Sequence, residues 1–174
     1  MKRMTAILIA MATIATAAAL AAQAKPNFAG KWTLDPASVP APPAGGGGGG
    51  GRGGGRGGGG GFGQEFTATQ DAKMLTIEYT QGQNPVKAVY NLDGSESKNM
   101  MPGRQGGEPT PQTSKAVWEG DKLNITTTLN FGGNTIEIKR VLSLEGGNLA
   151  VETTTPAFGG GGQPSTTKLV YKKS

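Results

Sequence analysis

Residues 119–151 read EGDKLNITTTLNFGGNTIEIKRVLSLEGGNLAV. Apolar and polar residues alternate through this stretch, and glycine-containing clusters at 119–121, 131–133 and 145–147 interrupt the alternation. A period of two is that of a half-buried β-strand, whose successive side chains point to opposite faces. Glu119-Gly120-Asp121 and Glu145-Gly146-Gly147 are short polar turns whose residues accept a positive φ, the chemistry of a tight hairpin. Leu123-Asn124-Ile125 and Leu149-Ala150-Val151 follow those two turns, and Leu75-Thr76-Ile77 follows Asp71-Ala72 in the same way. The echo indicates hairpins of one design.

Extended outward, the pattern predicts ten strands, at 28–34, 64–70, 73–80, 86–92, 95–101, 112–118, 122–130, 134–144, 148–155 and 165–172. Tight turns are expected at 71–72, 93–94, 119–121 and 145–147, and longer Gly/Pro-rich loops at 35–63, 81–85, 102–111, 131–133 and 156–164. Since the two kinds alternate, an up-and-down antiparallel meander puts all the longer loops at one end. Ten strands also tend to curl and close, because closure removes exposed edges. The fold class is therefore all-β: an antiparallel up-and-down meander of about ten strands in a closed or nearly closed barrel, with one plain end and one elaborated mouth.

The chain has 174 residues, among them 31 glycines, no histidine and no cysteine, with a formal charge of +5. The missing residue types exclude a Ser-His-Asp triad, an imidazole base, a thiol nucleophile, a disulfide and a thiolate metal site. Lys2 and Arg3 precede an apolar run from Ala6 to Leu20, which ends at Ala22-Gln23-Ala24 before Lys25. A basic start, a short apolar core and an A-x-A site describe a secretory signal peptide over 1–24. The run is shorter than the roughly 20 residues that span a bilayer, so no membrane span is expected. A single domain then occupies 25–174, with cleavage near Ala24-Lys25 and a periplasmic or secreted location. Without Lys2 and Arg3 the chain has 15 basic and 12 acidic residues, and without Arg52 and Arg56 it has 13 and 12. That near-neutral balance gives no electrostatic footprint for nucleic acid.

Residues 45–63 contain 16 glycines, two arginines and Phe62, and Pro40, Pro42 and Pro43 stand just upstream. With almost nothing to bury, the Pro/Gly-rich loop 40–63 is expected to be flexible and disordered, a spacer or lid after the first strand. Arg52-Gly53-Gly54 and Arg56-Gly57-Gly58 fit an RGG-type RNA tract, but two arginines in an exported chain make a poor one.

The first strand, Phe28-Ala29-Gly30-Lys31-Trp32-Thr33-Leu34, is similar to that of the calycin superfamily, the lipocalins, fatty-acid-binding proteins and avidins. Its Phe-x-Gly-x-Trp-x-Leu form is most similar to the fatty-acid-binding branch, which also has ten strands. The whole also resembles secreted bacterial proteins of lipocalin-like type. The resemblance implies a ligand-binding barrel whose floor Trp32 plugs. One departure is plain: that branch has two helices after the first strand, where this chain has proline and glycine.

Five residues are candidates for ligand binding: Trp32, Arg140, Phe62, Phe131 and Phe158. Trp32 shares a face with Phe28, Gly30 and Leu34, and either plugs the floor or stacks on a ligand. Arg140 stands in the apolar row Ile136, Ile138, Leu142, Leu144. Three readings stand for it: a bulge that turns it to water, cation–π packing over Trp32 as the lipocalin resemblance implies, or an inward carboxylate anchor as the fatty-acid-binding resemblance implies. Phe62, Phe131 and Phe158 lie where long loops meet strands. They form either an aromatic rim or caps on the core.

No catalytic residue is assigned. Asp35, Glu65, Glu78, Glu137 and Glu152 are scattered, with no spacing that demands the paired carboxylates of a glycosidase. Met74 with Met100-Met101 offers thioethers of the kind copper(I) takes, but a methionine pair before Pro102 reads as loop packing, so no metal or cofactor is assigned. The expected function is an exported, non-enzymatic, lipocalin-like barrel binding a small apolar or amphipathic ligand. The alternative is an envelope or extracellular interaction module with a filled barrel and a protein partner.

Overall fold

The computed structural model describes residues 25–41, 61–102, 107–131, 133–157 and 163–174. The expected signal peptide and most of the glycine tract lie outside the described residues. Ten antiparallel strands are formed: β1 (Gly30–Leu34), β2 (Glu65–Gln70), β3 (Met74–Gln81), β4 (Asn84–Asn91), β5 (Glu96–Met101), β6 (Thr110–Glu119), β7 (Lys122–Phe131), β8 (Asn134–Glu145), β9 (Asn148–Thr155) and β10 (Ser165–Lys173). Every strand expected from the alternation is present, its ends within two residues. A single 3-10 turn, Pro36–Ser38, follows β1; Asp35 caps it by accepting a hydrogen bond from the Ala37 N–H.

The strands make one sheet in the order β4-β3-β2-β1-β10-β9-β8-β7-β6-β5. The first strand therefore pairs with the last, Trp32 opposite Lys173 and Leu34 opposite Tyr171, and the meander curls into a nearly closed barrel. The remaining gap lies between β4 and β5, and the Asn99 side chain bridges it. Its amide group donates to the Val89 carbonyl (2.9 Å) and its carbonyl accepts from the Val89 N–H (2.8 Å). Asn91 adds a bond from its side-chain amide to the Glu96 carbonyl. One asparagine thus satisfies both backbone groups that a neighbouring strand would have satisfied.

Two connections are shorter than expected. β3 and β4 are joined by Gly82 and Gln83 alone, and β7 and β8 by residues 132–133 alone. Gly82 and Gly133 adopt φ of 67° and 80°, the conformation of two-residue hairpins, so the glycines at 81–85 and 131–133 mark tight turns. The long connections at the mouth are those after β1, β5 and β9.

Side chains that point inward form the core. At the end where the other tight turns lie it is almost wholly apolar: Phe28, Leu75, Leu123, Leu142 and Leu149 have no exposed surface. The Trp32 indole N–H donates to the Phe28 carbonyl at 2.8 Å, and the Phe28 ring stacks on Trp118 at 5.6 Å. This is the barrel floor, and Trp32 plugs it. Gly30 shows why the strand reads Gly-x-Trp. Its φ is 146°, and a Cβ there would lie 2.8 Å from Lys173 Cε, on the stem that carries the Lys173 ammonium to 5.8 Å from the Trp32 ring.

Candidate functional site

Above the floor the interior divides by chemistry. The wall of β1 to β4 presents Leu34, Phe66, Ala68, Ile77, Val86 and Ala88, all buried. The opposite wall presents Ser97, Asn99, Gln112, Ser114, Thr127 and Thr153, also buried. Buried hydroxyls and amides need partners, and several have them here: Ser114 and Thr127 share a hydrogen bond of 2.9 Å, and Ser97 donates to the Ser114 carbonyl. The interior presents apolar carbon on one side and engaged polar groups on the other.

Arg140 lies between the two. It pairs opposite Ile125 on β7 and Thr153 on β9, in unbroken register with Leu142 opposite Leu123 and Val151. No bulge interrupts that register, so Arg140 keeps the phase of its apolar row and faces inward. The bulge expected as one reading is absent because β7 and β9 hold β8 from both sides. Nor does the guanidinium cover Trp32, whose cation is Lys173; its carbon centre lies 5.6 Å from the Phe62 ring. The third orientation, inward, is the one adopted.

All three tyrosines of the chain face the same interior, and the charge of Arg140 acts on each. Burial pushes the Tyr90 phenol up to about 12, against smaller opposing pull from Arg140. Burial also raises Tyr79 and Tyr171; for Tyr171 the Phe62 N–H and then Arg140 oppose it. The phenols are neutral at physiological pH. A guanidinium beside neutral phenols is a cationic site of the kind that attracts an anion.

Phe62 is not on a rim. It is 2 % exposed, with its ring 5.2 Å from Phe66 and 5.9 Å from Tyr79. Its N–H donates to the Tyr171 hydroxyl at 3.1 Å, and that hydroxyl donates to the Gly63 carbonyl at 3.2 Å. Phe131 closes β7; its side chain and all of Phe158 lie outside the described residues. Of the five candidates, Arg140 and Phe62 come together in the barrel interior, while Trp32 belongs to the floor. The tyrosines were missed, although the signal was present. Tyr79, Tyr90 and Tyr171 each continue an apolar row of period two (Leu75-Ile77, Val86-Ala88 and Leu169).

The carboxylates considered for catalysis are on the outer surface or the strand edges. Asp35 pairs with Lys172, Glu78 with Lys87 and Glu137 with Lys139. Met74 and Met100 are exposed on β3 and β5, strands that do not adjoin. Among the described residues no group of three or more Asp and Glu could hold a metal ion, and no helix is long and apolar enough to cross a membrane. An open cleft of about 360 Å³ lies outside the floor between Lys25, Asp71 and Trp118. Its polar groups serve the local backbone: Asp71 accepts from the Lys73 and Met74 N–H groups, and Gln70 holds Phe28 and Pro26.

No family model matches the chain, and no curated protein matches it. Solved structures do. Human cRBP IV is 14% identical with a TM-score of 0.52, covering 86% of this chain and 99% of its own. Apo lipid binding protein 8 of Caenorhabditis elegans is 10% identical with a TM-score of 0.51, over 84% and 95%. The wild-type fluorescent protein UnaG is 15% identical with a TM-score of 0.50, over 84% and 97%. Identities this low speak to fold alone. That fold is the nearly closed ten-stranded antiparallel barrel described above, the fold type that the strand pattern led one to expect.

Proposed function

We propose that the chain is a non-enzymatic carrier that takes a small apolar or amphipathic molecule into the barrel or its mouth. The observation that carries this reading is the inward Arg140, set between an apolar wall and a polar one. A barrel that only had to fill its core would gain more from an apolar side chain at this half-buried position, since even partial desolvation of a guanidinium is unfavourable. A ligand with an apolar body would bury its surface against β1 to β4 at about 25 cal/mol per Å², and an acidic group would orient it at Arg140. The name of the C. elegans neighbour, a lipid binding protein, supports the same ligand class.

We further propose that the chain is exported and trimmed after Ala24. Supporting this, the described hydrogen bonds at this end of the chain are made by Pro26 and Phe28, and every described strand lies beyond Ala24. Chain recovered from the host envelope should begin at Lys25 by mass spectrometry; an uncleaved terminus would refute export by this route.

The second reading, an interaction module with a filled barrel, is favoured by one observation: Phe62 and Tyr171 occupy interior space themselves. Native mass spectrometry of chain purified from its own host decides between the two. A bound molecule of a few hundred daltons supports the carrier, and Arg140→Met should then retain the fold and lose an acidic ligand. If nothing co-purifies and no member of a lipid panel binds, the interaction module replaces the carrier.

A further inference from the structure

We infer that Phe62 occupies an aryl-binding subsite of the lumen, and that a ligand bearing an aromatic ring gains this subsite by displacing Phe62. The inference rests on the lumen being a ligand site and adds the class of group it selects. Two features carry it: the chemistry of the seat and the way the chain delivers a ring to it.

The seat is built for a ring. Phe66 and Tyr79 meet the Phe62 ring at interplanar angles of 58° and 63°, with centroids 5.2 and 5.9 Å away. Those are the tilted and edge-on arrangements that bring the positive rim of one ring toward the negative face of another. Phe66 is itself held edge-on by Tyr171 at 4.9 Å. The Arg140 guanidinium carbon lies 5.6 Å from the Phe62 centroid, within the range in which a cation is drawn to a π-face. An alkyl chain in the same place would fill the volume but forgo both the edge-to-face contacts and the cation–π attraction.

The delivery is sparse. Between residues 45 and 63 the sequence offers 16 glycines, two arginines and this one phenylalanine. Gly61 and Gly63 flank it, and the described contacts that fix it are its ring and the two hydrogen bonds through the Tyr171 hydroxyl. Gly61 is seated so closely that a Cβ would fall on the Tyr171 hydroxyl and lie 2.6 Å from Leu169 Cδ1. Residues 61–63 therefore place one side chain in the barrel, where a ligand's ring competes for the same walls. A ligand that requires the vacated seat binds more weakly by the fraction of molecules in which it is vacant.

Two substitutions empty the seat by different means. Phe62→Ala removes the ring, while Gly61→Ala keeps the ring and unseats the backbone beneath it. Binding of anilinonaphthalene sulfonate, an aryl anion, and of a straight-chain fatty acid is measured on native chain and both variants, with near-ultraviolet circular dichroism confirming the fold. If the vacant form is roughly 1–10% of the native population, each variant binds the aryl probe roughly ten- to a hundredfold more tightly than native chain, with a smaller gain for the fatty acid. Should Phe62→Ala fail to fold, Phe62→Leu keeps most of the volume and must still show a gain for the aryl probe. Equal aryl affinity in native chain and folded variants overturns the inference and leaves the carrier reading standing. Equal gains for both probes overturn the aryl selectivity. Failure of every folded chain to bind either probe overturns the carrier reading, and the inference with it.

Discussion

At the floor of the barrel, Phe28, Trp32, Leu123, Leu142 and Leu149 meet with at most 2% of their surface exposed. The Trp32 indole closes the structure there by donating to the Phe28 carbonyl. Toward the mouth the inward positions include Thr127, Thr153, Gln112 and Arg140, and Phe62, flanked by glycines, packs its ring against Arg140. Strands β7, β8 and β9 supply both regions, two or four residues apart along the strand. Apolar close packing at one end secures the fold, which frees the other end to carry polar groups that add less to stability than they could to recognition. Substitutions at the floor should therefore cost stability, and those near the mouth should cost it less or only under particular conditions.

The largest expected effect is at the floor. Trp32→Ala removes the plug, orphans the Phe28 carbonyl and leaves the Lys173 ammonium without its ring. Truncating a buried aromatic costs about 3–5 kcal/mol, a large share of the 5–15 kcal/mol typical of a domain. The urea midpoint should fall accordingly. A loss below about 1 kcal/mol would mean that the floor is not where the stability lies.

Next comes an effect that depends on pH. Tyr90 has its pKa raised by burial from 10.0 to about 12 in the folded chain. The folded state then holds the phenol proton more tightly than the unfolded one. Its contribution is fully present below pH 10 and is lost as pH climbs from 10 to 12, to the extent of about 3 kcal/mol at 1.36 kcal/mol per unit. Tyr79 and Tyr171, also raised by burial, add to the loss in the same direction. Melting temperature followed from pH 8 to 12 should fall steeply above 10, and less steeply in Tyr90→Phe. An unchanged slope in that variant would show that Tyr90 ionises without unfolding the chain.

A third test addresses the seam. Asn99→Ala leaves the Val89 N–H and carbonyl without the partners that now bridge β4 and β5. Two lost bonds of about 1 kcal/mol each predict a destabilisation near 2 kcal/mol. Amide exchange at Val89 should accelerate with it. Unchanged exchange there would mean that water or a neighbouring strand takes over the role.

Sequence and structure agree best where residue type alone decides the outcome. Strand positions followed from alternation, and the floor from Trp32 and its apolar neighbours, because burying large apolar side chains leaves few alternatives. Arg140 was harder, since a single bulge would have reversed its direction, and only pairing to β7 and β9 excludes one. The Asn99 bridge could not be read at all. It depends on which strands remain unpaired when the barrel closes, and Asn99 is ten residues from Val89 with a turn between them. Lys173 over Trp32 is similar: two ends of the chain meet only after β1 pairs β10. At 81–85 and 131–133 the error ran the other way, with glycines read as loop length where they make two-residue turns.

The smallest expected effect separates the glycine tract from the segment that follows it. Thr33 on β1 lies opposite Glu65 on β2, so residues 34–64 connect two neighbouring strands. Deleting residues 45–60 roughly halves that connection while sparing Gly61, Phe62 and the bond from the Leu34 N–H to the Gln64 carbonyl. Loop-closure entropy changes by only about 0.6 kcal/mol for each twofold change in length, so the melting temperature should rise slightly or stay level. Phe62→Ala in the deleted chain should cost what it costs in the full one, because the ring's described contacts are to Phe66 on β2, Tyr79 on β3 and Arg140 on β8. A large drop on deletion alone would instead place part of the tract against the barrel. A deletion that abolishes the cost of Phe62→Ala would show that the shortened chain can no longer carry the ring to its seat.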